Sequence, residues 1–182
     1  MKIECQIKSD RRWVSRAMRS TMGLPEHTNP ISDELLRFLI RAGHSPAEEW
    51  EVWIDATVPE RVHTHVVRHE EIGKYVATSR PDIVGERPKD GMRKLSMRIN
   101  AKRLVEIMRI RLCGKAWWET RLLFRAIAAK VIELEPCLDG LFAPTCVWYG
   151  FCPEHCEARP TCGYMDTENY GREREKIMGK DK

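Results

Sequence analysis

Between Glu51 and Val58 the apolar residues Val52, Ile54, Ala56 and Val58 alternate with Glu51, Trp53, Asp55 and Thr57. That period-two pattern predicts a half-buried strand, with one face against a core and the other toward water. The flanking segments carry a different period. From Ser32, the residues Leu35, Leu36, Leu39 and Ile40 recur at helical spacing. Asp33 and Glu34 suit the positive N-terminal end of that helix, and Gly43 can close it. After the strand, Pro59 suits a helix start, and Val62, Val66 and His69 continue a helical stripe. Asn100 can cap a further helix with the stripe Leu104, Ile107, Met108 and Leu112, and another helical pattern covers Trp117 to Leu134 before Pro136 stops it. The first thirty residues read as basic and irregular, and Ser79 to Lys94 reads as a loop. The charged segment from Gly171 to Lys182 reads as a mobile tail.

At 182 residues the chain is about one domain in size. Its 42% apolar and 32% charged residues exclude a disordered or fibrous protein. No apolar run approaches the roughly 18 residues of a membrane span, and Met1 to Glu4 lacks the hydrophobic segment of an export signal, so a cytoplasmic location is expected. The net charge of +4 fits a protein that holds small anionic ligands and is too mild to argue for nucleic-acid binding. There is no P-loop, Gly-x-Gly-x-x-Gly fingerprint or Gly-x-Ser-x-Gly elbow, which leaves Walker-type, Rossmann and α/β-hydrolase readings without support.

Three groups of residues carry chemistry. Arg111 follows Leu104 by seven residues and Met108 by three, so it shares the inward stripe of its helix while Arg109 does not. A guanidinium on that stripe either pairs with a carboxylate such as Glu119 or Glu106, snorkels at the helix end, or faces an anionic or carbonyl-bearing ligand. The run His63, His65, Arg68 and His69, with Lys74 and Arg80 beyond, reads as an anion cradle. Surface histidines are the plain alternative, and His65 with His69 four residues on has the spacing of a metal-binding pair. Thr78, Ser79 and Arg80 place two hydroxyls and a guanidinium in consecutive positions, all able to donate to a phosphate.

Of seven cysteines, five (Cys137, Cys146, Cys152, Cys156 and Cys162) fall in the last quarter of the chain. An odd count without an export signal argues for reduced thiols or a metal site over a disulfide framework. Cys146, Cys152, Cys156 and Cys162 are candidate ligands for zinc or an iron–sulfur cluster, although no pair has the two-residue gap of a zinc knuckle.

The order of the pieces matters more than any one of them. Gly43-His44-Ser45-Pro46-x-Glu48 is followed by Arg68-His69, then Thr78-x-Arg80, then Asn100-x-Lys102, Arg111 and Trp118-Glu119. This series, over roughly Arg19 to Glu119, resembles the flavin-dependent thymidylate synthase family, ThyX. Glu70, Gly73, Tyr75 and Pro81 depart from its central signature, Lys115 stands where the family usually has a His, and Trp117 replaces a Gln.

The resemblance implies an α+β fold, an antiparallel sheet packed with long helices, with a catalytic domain over residues 1–145 and a Cys-bearing tail over 146–182. It implies an enzyme that transfers a one-carbon unit from methylenetetrahydrofolate to C5 of dUMP, with FAD as redox carrier and NADPH as reductant. Another deoxypyrimidine nucleotide such as dCMP, methylated or hydroxymethylated, and a catalytically silent relative are the alternatives. Carried over by position, Thr21, His44, Ser45, Glu48, Arg68, His69, Asn100, Lys102 and Lys115 would contact FAD. His65, Thr78, Ser79, Arg80, Arg87 and Arg111 would hold the nucleotide, and Arg111, Arg68 and His69 would serve the chemistry. The partner implied is a deoxypyrimidine mononucleotide, not a nucleic acid or a membrane, and the assembly a homotetramer with shared active sites.

Overall fold

The computed structural model describes residues 2–26, 29–69, 72–78, 81–84 and 91–179. In chain order the elements are β1 (Lys2–Ile7), α1 (Arg11–Thr21), α2 (Asp33–Ala42), β2 (Glu51–Pro59), α3 (Glu60–Val66), β3 (Gly73–Val76), α4 (Pro81–Val84), β4 (Met92–Asn100), α5 (Ala101–Arg111), α6 (Trp118–Leu134), α7 (Thr145–Tyr149) and α8 (Glu168–Met178). Short 3-10 turns lie at Ser45–Glu49, Pro136–Leu138 and Tyr164–Asp166. The four strands form one antiparallel sheet in the order β1-β2-β4-β3.

Strand β2 is central, and its alternation sets the layers. Val52 pairs with Ile99, Ile54 with Met97 and Ala56 with Leu95, so over these pairs one face of the β2–β4 ladder is apolar and buried, with Arg93 opposite Val58 at its end. Helices cover that face. Leu104, Val105, Ile107 and Met108 of α5, Leu123, Phe124, Ile127 and Val131 of α6, and Leu36, Leu39 and Ile40 of α2 join the strands in one continuous core. Each such side chain contributes about 1.5–3 kcal/mol by leaving water. The α+β architecture expected from the sequence is the one observed.

The caps expected at the sequence level are in place. Ser32 accepts from the Leu35 amide to start α2, and Gly43 ends it with φ of 69°, a left-handed conformation that glycine adopts without penalty. Asn100 accepts from the Arg103 amide at 2.8 Å and so starts α5.

Three expectations are corrected. The first thirty residues are not irregular: they hold β1, which adds Ile3, Cys5 and Ile7 to the sheet, and α1, capped by Asp10. The stretch from Ser79 to Lys94 does not stay a loop to its end, because β4 begins at Met92. The charged tail is helical to Met178 and docked: Ile177 is buried, Arg37 of α2 donates to the Lys176 carbonyl at 2.9 Å, and Arg41 reaches the Ile177 carbonyl. Those two guanidiniums take up carbonyls that the end of a helix leaves unpaired. Gly140 makes room for this docking, since a Cβ there would lie 2.7 Å from the Lys176 Cβ.

A partly buried charge cluster ties α1 to the start of α2 and to the end of α6. Arg11 of α1 binds Asp33 and Glu135, and Glu135 also accepts from the Trp50 indole at 3.2 Å. Asp33, Glu135 and Cys137 converge closely enough to resemble a metal site. The guanidinium of Arg11 already fills that role.

Candidate functional site

The C-terminal end of α3, the segment that follows it, the end of α5 and the start of α6 meet at one place. There Arg111 emerges on the inward side of α5, half-buried, as its spacing requires. Its Nε donates to Nε2 of His69 at 2.7 Å, and its Nη2 donates to the His65 carbonyl at 3.0 Å. Among the described residues no carboxylate pairs with it. The carboxylates weighed as partners are engaged elsewhere: Glu119 with Arg61, and Glu106 with Arg103 at 2.8 Å. Burial lowers the guanidinium's proton affinity, and the neighbouring charge of Arg68 lowers it further.

His69 is buried and packs edge-on to Phe124. Burial, then the charges of Arg111, Arg103 and Lys74, push its pKa down to about 4. The ring is therefore neutral at neutral pH, and a neutral ring can accept the Arg111 hydrogen bond at Nε2. Lys74 closes the other side, donating to the carbonyls of Val67 and His69. Arg111, Arg103 and Lys74 thus set positive charge about an uncharged imidazole, and Arg68 adds its charge beside Arg111.

A supporting layer lies behind it. Nδ1 of His65 sits 3.0 Å from the hydroxyl of the buried Thr120, and its ring meets Trp117 edge-on. Glu119 receives a two-pronged contact from Arg61 and a hydrogen bond from the Trp117 indole at 3.1 Å. The Arg61 bond, then the Trp117 bond, hold the Glu119 carboxyl well below the usual range, at about 2. Sequence reasoning missed Arg61 and Thr120. Arg61 was legible in one respect, since it precedes His65 by four residues and shares its helix face.

A second cleft adjoins the end of the sheet, lined by Glu48, Asn100, Lys102, Arg103 and Glu106. It gathers three of the residues to which the resemblance gives a cofactor role, with His44 and Ser45 exposed on the turn beside Glu48. Lys102 binds Glu48 at 3.0 Å, and the Asn100 side chain is occupied as the α5 cap. Arg103 belongs to both places, since it lines this cleft and its charge reaches His69.

Other predicted residues lie apart. The Thr21 hydroxyl donates to the Met18 carbonyl of its own helix. Lys115 donates to the carbonyls of Glu154 and Arg159, on the cysteine-bearing loop. Arg68 and Thr78 are exposed. Ser79, Arg80, Arg87 and the substituted Glu70 lie outside the described residues.

The cysteines regroup. Cys146, Cys152 and Cys162 line one pocket, joined there by Cys113 from the end of α5, whereas Cys156 is exposed in a small bridge with Arg159. All seven cysteines are free thiols.

No protein-family description matches the chain, and no curated protein matches it. Among solved structures it is similar to "a UMP/dUMP methylase PolB from Streptomyces cacaoi bound with 5-Br dUMP". The TM-score is 0.58 at 13% identity, over 78% of this chain and 94% of that one. At that identity the likeness is one of fold: this chain has the architecture of a protein described as a nucleotide methylase.

Proposed function

We propose that the protein binds a deoxypyrimidine nucleotide at the Arg111–His69 pair and transfers a one-carbon unit to C5 of its base, as a divergent relative of the ThyX family with dUMP as substrate. The observation that carries this reading is the placement of Arg111. It is an inward guanidinium without a carboxylate partner, held by a neutral histidine and a backbone carbonyl, in a fold shared with a UMP/dUMP methylase. A group so placed offers its remaining N–H bonds to pyrimidine carbonyls. It also stabilises the negative charge that grows on those oxygens as C5 becomes nucleophilic. His69 keeps the guanidinium aimed, and Lys74 and Arg68 add to a field that favours an anion.

FAD would supply the redox chemistry, with NADPH and methylenetetrahydrofolate as co-substrates. The Glu48–Lys102 cleft fits part of such a cofactor. Its carboxylates and ammonium suit the hydroxyls and amino group of an adenosine portion, whereas a pyrophosphate would need Lys102 to leave Glu48. Thr21 and Lys115, engaged elsewhere within one chain, have no part in this cleft. Assembly as a homotetramer and a cytoplasmic location belong to the same reading.

The test is to incubate the purified protein with FAD, desalt it, and measure the fluorescence of flavin released by denaturation. Turnover of dUMP and of dCMP with methylenetetrahydrofolate and NADPH follows on the loaded sample. About one flavin per chain and formation of dTMP are expected. Turnover of dCMP without dUMP would move the assignment to the alternative base, and neither flavin nor nucleotide binding would overturn it.

A further inference from the structure

We propose that Cys113, Cys146, Cys152 and Cys162 together ligate an iron–sulfur cluster, in a pocket that includes neither Arg111 nor His69. The four sulfurs come from four places in the sequence: the end of α5, helix α7, and the two ends of the loop between α7 and α8. They share one pocket, whose remaining lining includes Ile110, Pro144, Pro153 and Met165. Chance clustering of unlinked thiols from four segments is a poor account of this, because the loop carrying Cys152 and Cys162 has almost no regular structure to bring it there.

Two further observations fit. Gly114 is required by the arrangement: a Cβ there would lie 2.8 Å from the sulfur of Cys162. Lys115, next in sequence, fastens the loop between Cys152 and Cys162 through the carbonyls of Glu154 and Arg159.

The four sulfurs do not form a ready cage for a single ion. A single tetrahedral zinc at 2.3 Å from each sulfur draws its ligands to about 3.8 Å from one another. No three of these four sulfurs lie within 4.8 Å of one another. A cluster spreads its four thiolates over several iron atoms and so accepts a wider cage. Exposed Cys156 takes no part, which separates this assignment from the simple run of cysteines in the sequence.

The full chain, expressed with added iron and purified without oxygen, is analysed for iron, acid-labile sulfide and zinc, then reconstituted with ferrous iron and sulfide. The expected result is iron and sulfide in equal amounts, about two or about four of each per chain. Cys156→Ser keeps that content. Cys113→Ser and Cys162→Ser lose it while the far-UV circular dichroism of the protein is retained; should one of these fail to fold, the other and the wild-type iron-to-sulfide ratio still decide. One zinc per chain, no metal after reconstitution, or loss of iron in Cys156→Ser with retention in Cys113→Ser would each overturn the proposal.

Discussion

Arg111 and His69 form a pair in which each constrains the other. The guanidinium donates through Nε, so it needs an unprotonated ring nitrogen, and the positive charge around the ring keeps that nitrogen unprotonated. Lysine at 111 would keep a charge but lose the planar fork that reaches His69 and the His65 carbonyl at once and, in the proposed function, a base as well. Arg111→Lys is therefore expected to weaken dUMP binding by about tenfold or more, roughly 1.4 kcal/mol, in a calorimetric titration. His69→Gln retains an acceptor for Arg111 and should lose less affinity than His69→Ala. The same pair predicts a pH dependence. The folded-state pKa of His69, about 4, lies below the ordinary value of 6.5. Its contribution is complete above pH 6.5 and is lost as pH falls toward 4, where the unfolded chain binds the extra proton first. Stability should decline through that window by something on the order of 2 kcal/mol, and denaturant titrations of His69→Gln should show a flatter profile. Arg111's inward position was legible from its spacing to Leu104 and Met108. Its partner was not, because His69 is 42 residues away and periodicity speaks only to a helix's own faces.

At the scale of elements, local signals were the readable ones. Ser32, Gly43 and Asn100 act at helix ends through bonds spanning a few residues, and β2 declares itself by alternation. Strand β4 carries the same alternation at Leu95, Met97 and Ile99, yet the Gly- and Pro-rich residues before it blurred where the loop stopped. Helix α8 looked like a free tail since its composition is charged. Its docking comes from the buried Ile177, from Arg174 on the Val147 carbonyl, and from Arg37 and Arg41 more than 130 residues away. Replacing Ile177 with Asp, which puts a charge into that contact, should free α8 and make residues 168–178 the first site of limited proteolysis, with α2 itself intact. Asn100 separates two roles. As the cap of α5, Asn100→Ala costs about 1 kcal/mol of stability whereas Asn100→Asp keeps most of it, read from urea midpoints. A cofactor role would show instead as lost flavin content at unchanged stability.

For the molecule as a whole, the core runs from Val14 to Leu141 through β2 and β4, with Ile3, Cys5 and Ile7 of β1 packed against it. A smaller cluster of Ala143, Cys146, Val147 and Ile177 lies beside it, joined through Trp148. Tryptophan fluorescence, dominated in the core by the buried Trp50, and far-UV circular dichroism should therefore report one coincident thermal transition. A separate early step would mean that the smaller cluster melts alone. The layered architecture was legible in outline, but the convergence of Cys113 with three distant cysteines was not, since it depends on how α5 and α7 pack. The strand order bears on how the chain is made. β1 leaves the ribosome before the strand and helix it packs against, and it is an edge strand, paired with β2, whose inner side packs beneath α6. Ile3, Cys5 and Ile7 thus wait for residues 118–134 to be synthesised before they are covered, and during that interval the nascent chain presents a sticky ribbon that a trigger-type chaperone would shield.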